Sequence, residues 1–327
     1  MPDRPIVLPS NRPAGRFYRG GRRITDLRGD APAGKHEPED WIASTVHVFG
    51  QAGVGETVLA DGRTLRTAVE ADPVGWLGQQ HVAAFGSDTK LLTKLLDAGQ
   101  RLPVHAHPDG AFAEQHLGHG HGKTEAWVVL RGGTVHLGLQ RAVGEAELRE
   151  LVDGQRTAEL LELLHPLQVE AGDAVLVPAG QLHAIGEGVL VLEVQEPEDL
   201  SILLEWSGFD IDGTEAGHLG LGFDTALQAV TVDPLDESAL EALVTRGSAS
   251  GSVLPTAADP FFSVERVPVD GEVRLTIGYA VVLVEDGDLA IGSVRAGRGS
   301  TLLIPEGAGA VAASGEGVLL VCRPPRP

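Results

Sequence analysis

His105 and His107 are separated by one residue, and the order Gly99, His105, His107, Glu125, Gly132 is followed downstream by Gly172, Pro178, Gly180 and His183. In the second run five residues separate the first glycine from the proline, one separates the proline from Gly180, and two separate Gly180 from His183. Neutral imidazole nitrogens with a single anionic carboxylate oxygen form a donor set that suits a divalent transition ion better than calcium or magnesium. The chain is therefore expected to hold one divalent metal through His105, His107, Glu125 and His183. Zinc is the first expectation, and manganese, iron, nickel or cobalt suit the same set.

Elements must bring these side chains to one point. Residues two apart on a strand share a face, so an extended segment from Arg101 to His107 aims both imidazoles the same way. Apolar runs at Trp127 to Leu130 and Ala174 to Val177 read as strands beside Glu125 and Pro178. Pro178 and its flanking glycines make a tight turn that returns His183 toward the others. The ligands are thus expected on strands, not on a helix. The chain has 43 glycines and 20 prolines with weak helical periodicity, so an all-β architecture follows. Helical patterns occur at Thr64 to Phe85, as two short helices broken at Asp72-Pro73, and at Ala146 to Leu164, as two more broken near Asp153-Gly154.

The chain's 327 residues suffice for two domains, and 43% hydrophobic residues with a mean hydropathy of +0.03 describe a globular protein. No run of 18 apolar residues exists and the N-terminus lacks an apolar signal core, so membrane insertion and secretion are not expected and a cytoplasmic location is. The single cysteine, Cys322, sits in an apolar run and reads as a small buried side chain. A net charge of −21 argues against nucleic acid as a partner. A monomer or homodimer acting on a small molecule is expected.

Gly299, Pro305 and Gly307 repeat the spacing of Gly172, Pro178 and Gly180, again with an apolar strand between glycine and proline. Ala310 stands where His183 would. A C-terminal repeat that kept the turn without the ligand accounts for this. The expected organisation is a metal-binding unit at 1–245, a linker at 246–260 whose polar, small residues suit a flexible crossing, and a metal-free repeat at 261–327.

Both metal-motif halves have the spacing of the two cupin motifs, with 17 residues between His107 and Glu125 where simple cupins have three or four. The stretches LLTKLLDAGQRLPVHAHPDGAFAEQHLGHGHGKTEAWVVL and VEAGDAVLVPAGQLHAIGEGVLVLEVQ resemble the heart of class I mannose-6-phosphate isomerases. FYRGGRRITDL and EPEDWIAS look like degenerate versions of that family's N-terminal segments. The resemblance implies two cupin domains of jelly-roll type, with short helical insertions in the first. It also implies aldose to ketose isomerisation, in which a metal lowers the cost of an enediolate and a base moves a proton between C1 and C2.

Lys123 lies two residues before Glu125 in the GKTE motif, so it points into the same cavity as a proton-transfer candidate; otherwise it is a solvated loop charge. Glu193 alternates with apolar residues in VLVLEVQ, on the same strand face as Gln195, and an acid there is costly to bury without purpose. Lys123 and Glu193 are expected to carry protons, and Lys94, Arg101 and Gln195 to contact substrate. The family's usual glutamine is His105 here. Its usual arginine falls on Ile202 or Leu203, its small hydroxyl residue before the first ligand strand is Pro103, and no Lys or Arg occurs from Thr157 to Thr245. A phosphate dianion needs several charge-assisted hydrogen bonds, which leaves Lys94, Lys123 and Arg101 to supply them. Mannose 6-phosphate stands as the default substrate and a free sugar as its rival.

Two other functions compete: a non-catalytic sugar-binding cupin, favoured by the missing arginine, and a metal-dependent cupin dioxygenase, against which the GKTE and LHAIG signatures speak. His116, His119 and His121 lie in a glycine-spaced loop and are read as exposed or substrate-facing, with a second metal as the minor alternative. His136, His165 and His218 fit no spacing and are read as structural.

Overall fold

A computed structural model describes residues 2–327. In chain order its strands are β1 (Ile6–Leu8), β2 (Glu39–Ile42), β3 (Leu92–Asp97), β4 (His105–Ala106), β5 (Glu125–Arg131), β6 (Gly133–Leu139), β7 (Leu164–Val169), β8 (Ala174–Val177) and β9 (His183–Ile185). They continue as β10 (Leu190–Gln195), β11 (Ile202–Leu203), β12 (Val244–Thr245), β13 (Gly251–Ser252), β14 (Ser263–Arg274), β15 (Ala280–Ile291), β16 (Val294–Gly297), β17 (Thr301–Ile304) and β18 (Ala312–Arg323). They pair antiparallel in three sheets, so the fold is all-β as expected. The helices are short insertions. Thr64 to Phe85 breaks into three, not two, because Gly78 at φ +89° interrupts the run a second time after Asp72-Pro73. Among the described residues no helix is long and apolar enough to cross a membrane.

The six-stranded sheet, in order β12-β8-β5-β10-β3-β2, is the middle layer. Its strands β3, β8 and β10 are buried at every position, which explains the apolar run of β8 and most of β10, while β3 carries Thr93, Lys94 and Asp97. A polar residue in such a strand must have a reason to be there. On one face, Thr93 and Leu95 meet the seven-stranded sheet β1-β17-β15-β18-β14-β13, where Cys322 of β18 is buried against Thr93. Burial there pushes the Cys322 thiol up to about 12. The other face looks across a cavity to the five-stranded sheet β11-β4-β9-β6-β7. Leu148, Leu151 and Leu160, from helices Glu145–Asp153 and Thr157–Glu162, pack in the core of that five-stranded layer.

Two features differ from the expected organisation. Strand β1 pairs with β17 in the last sheet, Val7 opposite Leu302, so the chain begins among strands that close it. Residues 246–260 are docked rather than loose: Arg246 binds Asp173 at 2.6 Å, β13 pairs with β14, and Val253 and Ala258 are fully buried. Their small apolar side chains fill gaps between sheets, which polar composition hides.

Candidate metal centre

Strand pairing assembles the site. His105 of β4 lies directly opposite His183 of β9, and His107 follows β4 by one residue. The second half-motif is anchored to the first, since the Gly180 N–H donates to the His107 carbonyl at 2.7 Å. Gly180 has φ +86°, and a Cβ there would lie 2.6 Å from Thr231 Oγ1, so only glycine fits. Glu125 arrives from the facing sheet as the first residue of β5.

The three imidazoles offer nitrogens that lie within 4.8 Å of one another, all buried. Each ring's Nδ1 donates to a backbone carbonyl: His105 to Pro103 at 2.8 Å, His107 to Leu200 at 2.7 Å, His183 to Gln181 at 2.9 Å. A carbonyl can only accept, so each Nε2 carries the lone pair that metal-binding histidines require; that of His183 has no partner, and that of His107 accepts from Lys123 Nζ at 3.0 Å. Burial, with His183 and Lys123 beside it, holds His105 well below the usual histidine range, and burial first and then Lys123 brings His107 to about 3. His183 also falls to about 3, chiefly by burial. The rings are therefore neutral at physiological pH. Glu125 touches two of them, 3.1 Å from His107 Nε2 and 3.5 Å from His183 Nε2. Trp127 Nε1 donates to its other side at 2.9 Å. Burial opposes its ionisation, but Lys123 and His107 outweigh burial and hold its carboxyl well below the usual range. Glu125 Oε2 and His183 Nε2 are buried without a satisfying hydrogen bond. Orphaned acceptors in a neutral-imidazole and carboxylate set fit a divalent transition ion.

Beside this cluster a cavity of about 410 Å³, counting its open mouth, is lined by Lys94, Lys123, Glu125 and Glu193 among others. Lys123 Nζ lies 3.2 Å from Glu125 and 3.0 Å from His107 Nε2. Register places Glu193 between Lys94 on β3 and Trp127 on β5, on one face. Lys94 Nζ is 3.4 Å from Glu193 and sits 4.7 Å above the Trp41 ring. Burial and then Glu125 push the Glu193 carboxyl up to about 7.

Two expected substrate contacts, Arg101 and Gln195, already have hydrogen-bond partners within the protein, though Gln195 Oε1 is buried without one. Arg101 is bound bidentate by Glu205 and donates to the Leu102 carbonyl, so its guanidinium is spent outside the cavity. Gln195 lies on the correct face, opposite Glu125, but its amide holds the Glu196 and Glu198 carbonyls at 2.9 and 2.6 Å. The loop histidines are also engaged: His119 with Glu198 at 2.8 Å and His121 with Asp88 at 2.5 Å, and neither joins a metal cluster among the described residues.

Residues not singled out from the sequence complete the cavity: Arg16, Tyr18, Glu39 and Asp199. Arg16 binds Asp199 at 3.0 Å and Glu39 at 3.1 Å. Glu39 also accepts from Trp41 Nε1 at 2.6 Å and from the Tyr18 hydroxyl. For Tyr18 and Glu39 the available signal was their position in FYRGGRRITDL and EPEDWIAS, the two N-terminal stretches with family character; Arg16 lies just before the first, and Asp199 is in neither.

No protein-family model matches the chain. The mannose-6-phosphate isomerase of Streptococcus mutans is 30% identical over 246 residues, covering 71% of this chain and 75% of that protein. The mannose-6-phosphate isomerase ManA of Bacillus subtilis is 29% identical over 294 residues, covering 82% and 87%. The solved mannose 6-phosphate isomerase from Bacillus subtilis superposes with a TM-score of 0.69 at 22% identity, covering 98% of this chain and 100% of that one. A variant of phosphomannose isomerase from Salmonella typhimurium gives 0.73 at 16% identity, covering 99% and 100%. The sequence relationship, carried along a shared fold, makes this chain an isomerase of the mannose-6-phosphate isomerase family.

Proposed function

We propose that this chain is a metal-dependent aldose–ketose isomerase, with mannose 6-phosphate and fructose 6-phosphate, or a related free sugar pair, as its reactants. The observation that supports the reading most is the meeting of three neutral imidazoles with Glu125, while Lys123 and Glu193 face the same cavity. His105, His107, Glu125 and His183 would hold the ion, zinc first. When bound, such an ion supplies Lewis acidity to adjacent carbonyl and hydroxyl oxygens of a substrate. Glu193, raised to about 7 by burial and Glu125, has the affinity a proton carrier needs near neutral pH. Lys123 is the second proton-handling group, since an ammonium beside a developing alkoxide can donate. Lys94 keeps Glu193 oriented by an ion pair across adjacent strands. The buried walls exclude water from the reacting edge.

The six- and five-stranded sheets would then be the catalytic unit, and the seven-stranded sheet, containing residues 261–327, a metal-free repeat. Elemental analysis and proton exchange at C2 in deuterated water, followed by NMR across phosphorylated and free aldoses, tests the function. A stoichiometric transition metal and exchange with at least one sugar are expected. No exchange with any aldose or ketose would leave a sugar-binding protein as the better account.

A further inference from the structure

Resting on the isomerase reading, we infer that the substrate is an unphosphorylated aldose, because every cation lining the cavity is already committed to a carboxylate. The lining carries three cations, Arg16, Lys94 and Lys123, against four carboxylates, Glu39, Glu125, Glu193 and Asp199. Arg16 contacts Asp199 at 3.0 and 3.2 Å and Glu39 at 3.1 Å. Lys94 stands 3.4 Å from Glu193 and 3.8 Å from Glu39. Lys123 stands 3.2 Å from Glu125. These seven side chains are nearly all out of water, the most exposed being Arg16 at 11%.

A phosphate dianion entering here must take a guanidinium or ammonium from its carboxylate. It would leave that carboxylate buried and unpaired, and would itself lie among four acids. An ion held by the three histidines and Glu125 would share Glu125 with Lys123, but Lys123 also lies 3.0 Å from His107 Nε2 and so stays at the reacting edge of the sugar, away from a terminal phosphate. No other cation is at hand: Arg101 is locked to Glu205, and β11, at the position of the missing arginine, contributes buried Ile202 and Leu203. Beyond these charges and His105, the wall has one small hydroxyl, Ser201, and is otherwise Phe17, Tyr18, Leu96, Leu102, Pro103 and Ile185. Apolar and aromatic surface of this kind suits the C–H faces of a sugar that ends in a hydroxymethyl group.

The test compares kcat/KM of the metal-loaded full chain for mannose and for mannose 6-phosphate, with C2 exchange followed for each. A ratio of about ten or more in favour of mannose is expected. Asp199→Asn frees Arg16 from one of its partners and should shift the ratio toward the phosphorylated sugar by about tenfold, even if both rates fall. Folding of the variant is checked by its metal content. A wild-type ratio at or below one, with exchange observed, overturns the substrate assignment and leaves the isomerase reading intact. Absence of exchange with either sugar and with every other aldose in the panel overturns both.

Discussion

The turn from Gly172 to His183 and the turn from Gly299 to Ala310 share one spacing and carry different cargo. Both first glycines are left-handed, at φ +98° and +83°, and both lead into a fully buried four-residue strand, β8 and β17. Both later glycines are places of close approach: a Cβ on Gly180 would meet Thr231 Oγ1 at 2.6 Å, and one on Gly307 would meet the Pro2 carbonyl at 2.3 Å. His183 is then fully buried among His105, His107 and Glu125, whereas Ala310 is exposed. The glycine and proline spacing thus encodes a way of turning a β-sheet corner, and only the residue types around it make a metal centre.

The largest break in this comparison should come from the ligands. His107→Ala and His183→Ala each remove one donor, and elemental analysis should show most of the metal lost and activity with it. Chelation of the wild type should do the same, reversed by adding zinc or manganese.

Next come Lys123 and Glu193, the proposed proton carriers. Lys123→Met and Glu193→Gln should lower turnover by about a hundredfold or more while retaining metal. Because Glu193 must be ionised to accept a proton, kcat/KM should fall as the pH drops below about 7, or below a lower value when the metal's charge is added. Glu193→Gln should erase that limb. The stability sign is opposite: a carboxyl whose folded affinity is raised stabilises the fold most below its unfolded pKa, and that contribution is lost as pH rises through about 7. Thermal melts of Glu193→Gln should lack this decline.

A smaller effect separates folding from function. Gly180→Ala and Gly307→Ala should each destabilise by about 1–3 kcal/mol in denaturant titrations. Only Gly180→Ala should also lower metal content, since its N–H ties the turn to His107. The smallest effect is expected of Ala310→His, which restores the motif's spelling in the last sheet. Equilibrium dialysis should show no second metal, because the buried three-histidine group is the only such cluster among the described residues.

The convergence of His105, His107, Glu125 and His183 was legible because a strand's two-residue period and a glycine-bounded turn leave marks in local spacing, and the nearness of Lys123 to Glu125 was legible from their spacing. Glu193 and Lys94 were legible as charges in apolar runs, which doubly buried strands otherwise exclude. Arg101 misled because its value depends on Glu205, a partner 104 residues away that claims the guanidinium. The docked segment 246–260 misled for the same reason: its polar composition says nothing of the sheets that close over Val253 and Ala258.

By itself the sequence determined the all-β class, the buried histidine and carboxylate set and the turns that present it, since each rests on local backbone geometry and residue type. Only the tertiary structure decided which charges share the cavity. Arg16, Glu39 and Asp199 lie far apart in the chain and meet because β2 pairs with β3 and the N-terminal segment folds over that edge. Ion pairing depends on separation in space, and burial strengthens it, neither of which residue spacing along the chain encodes.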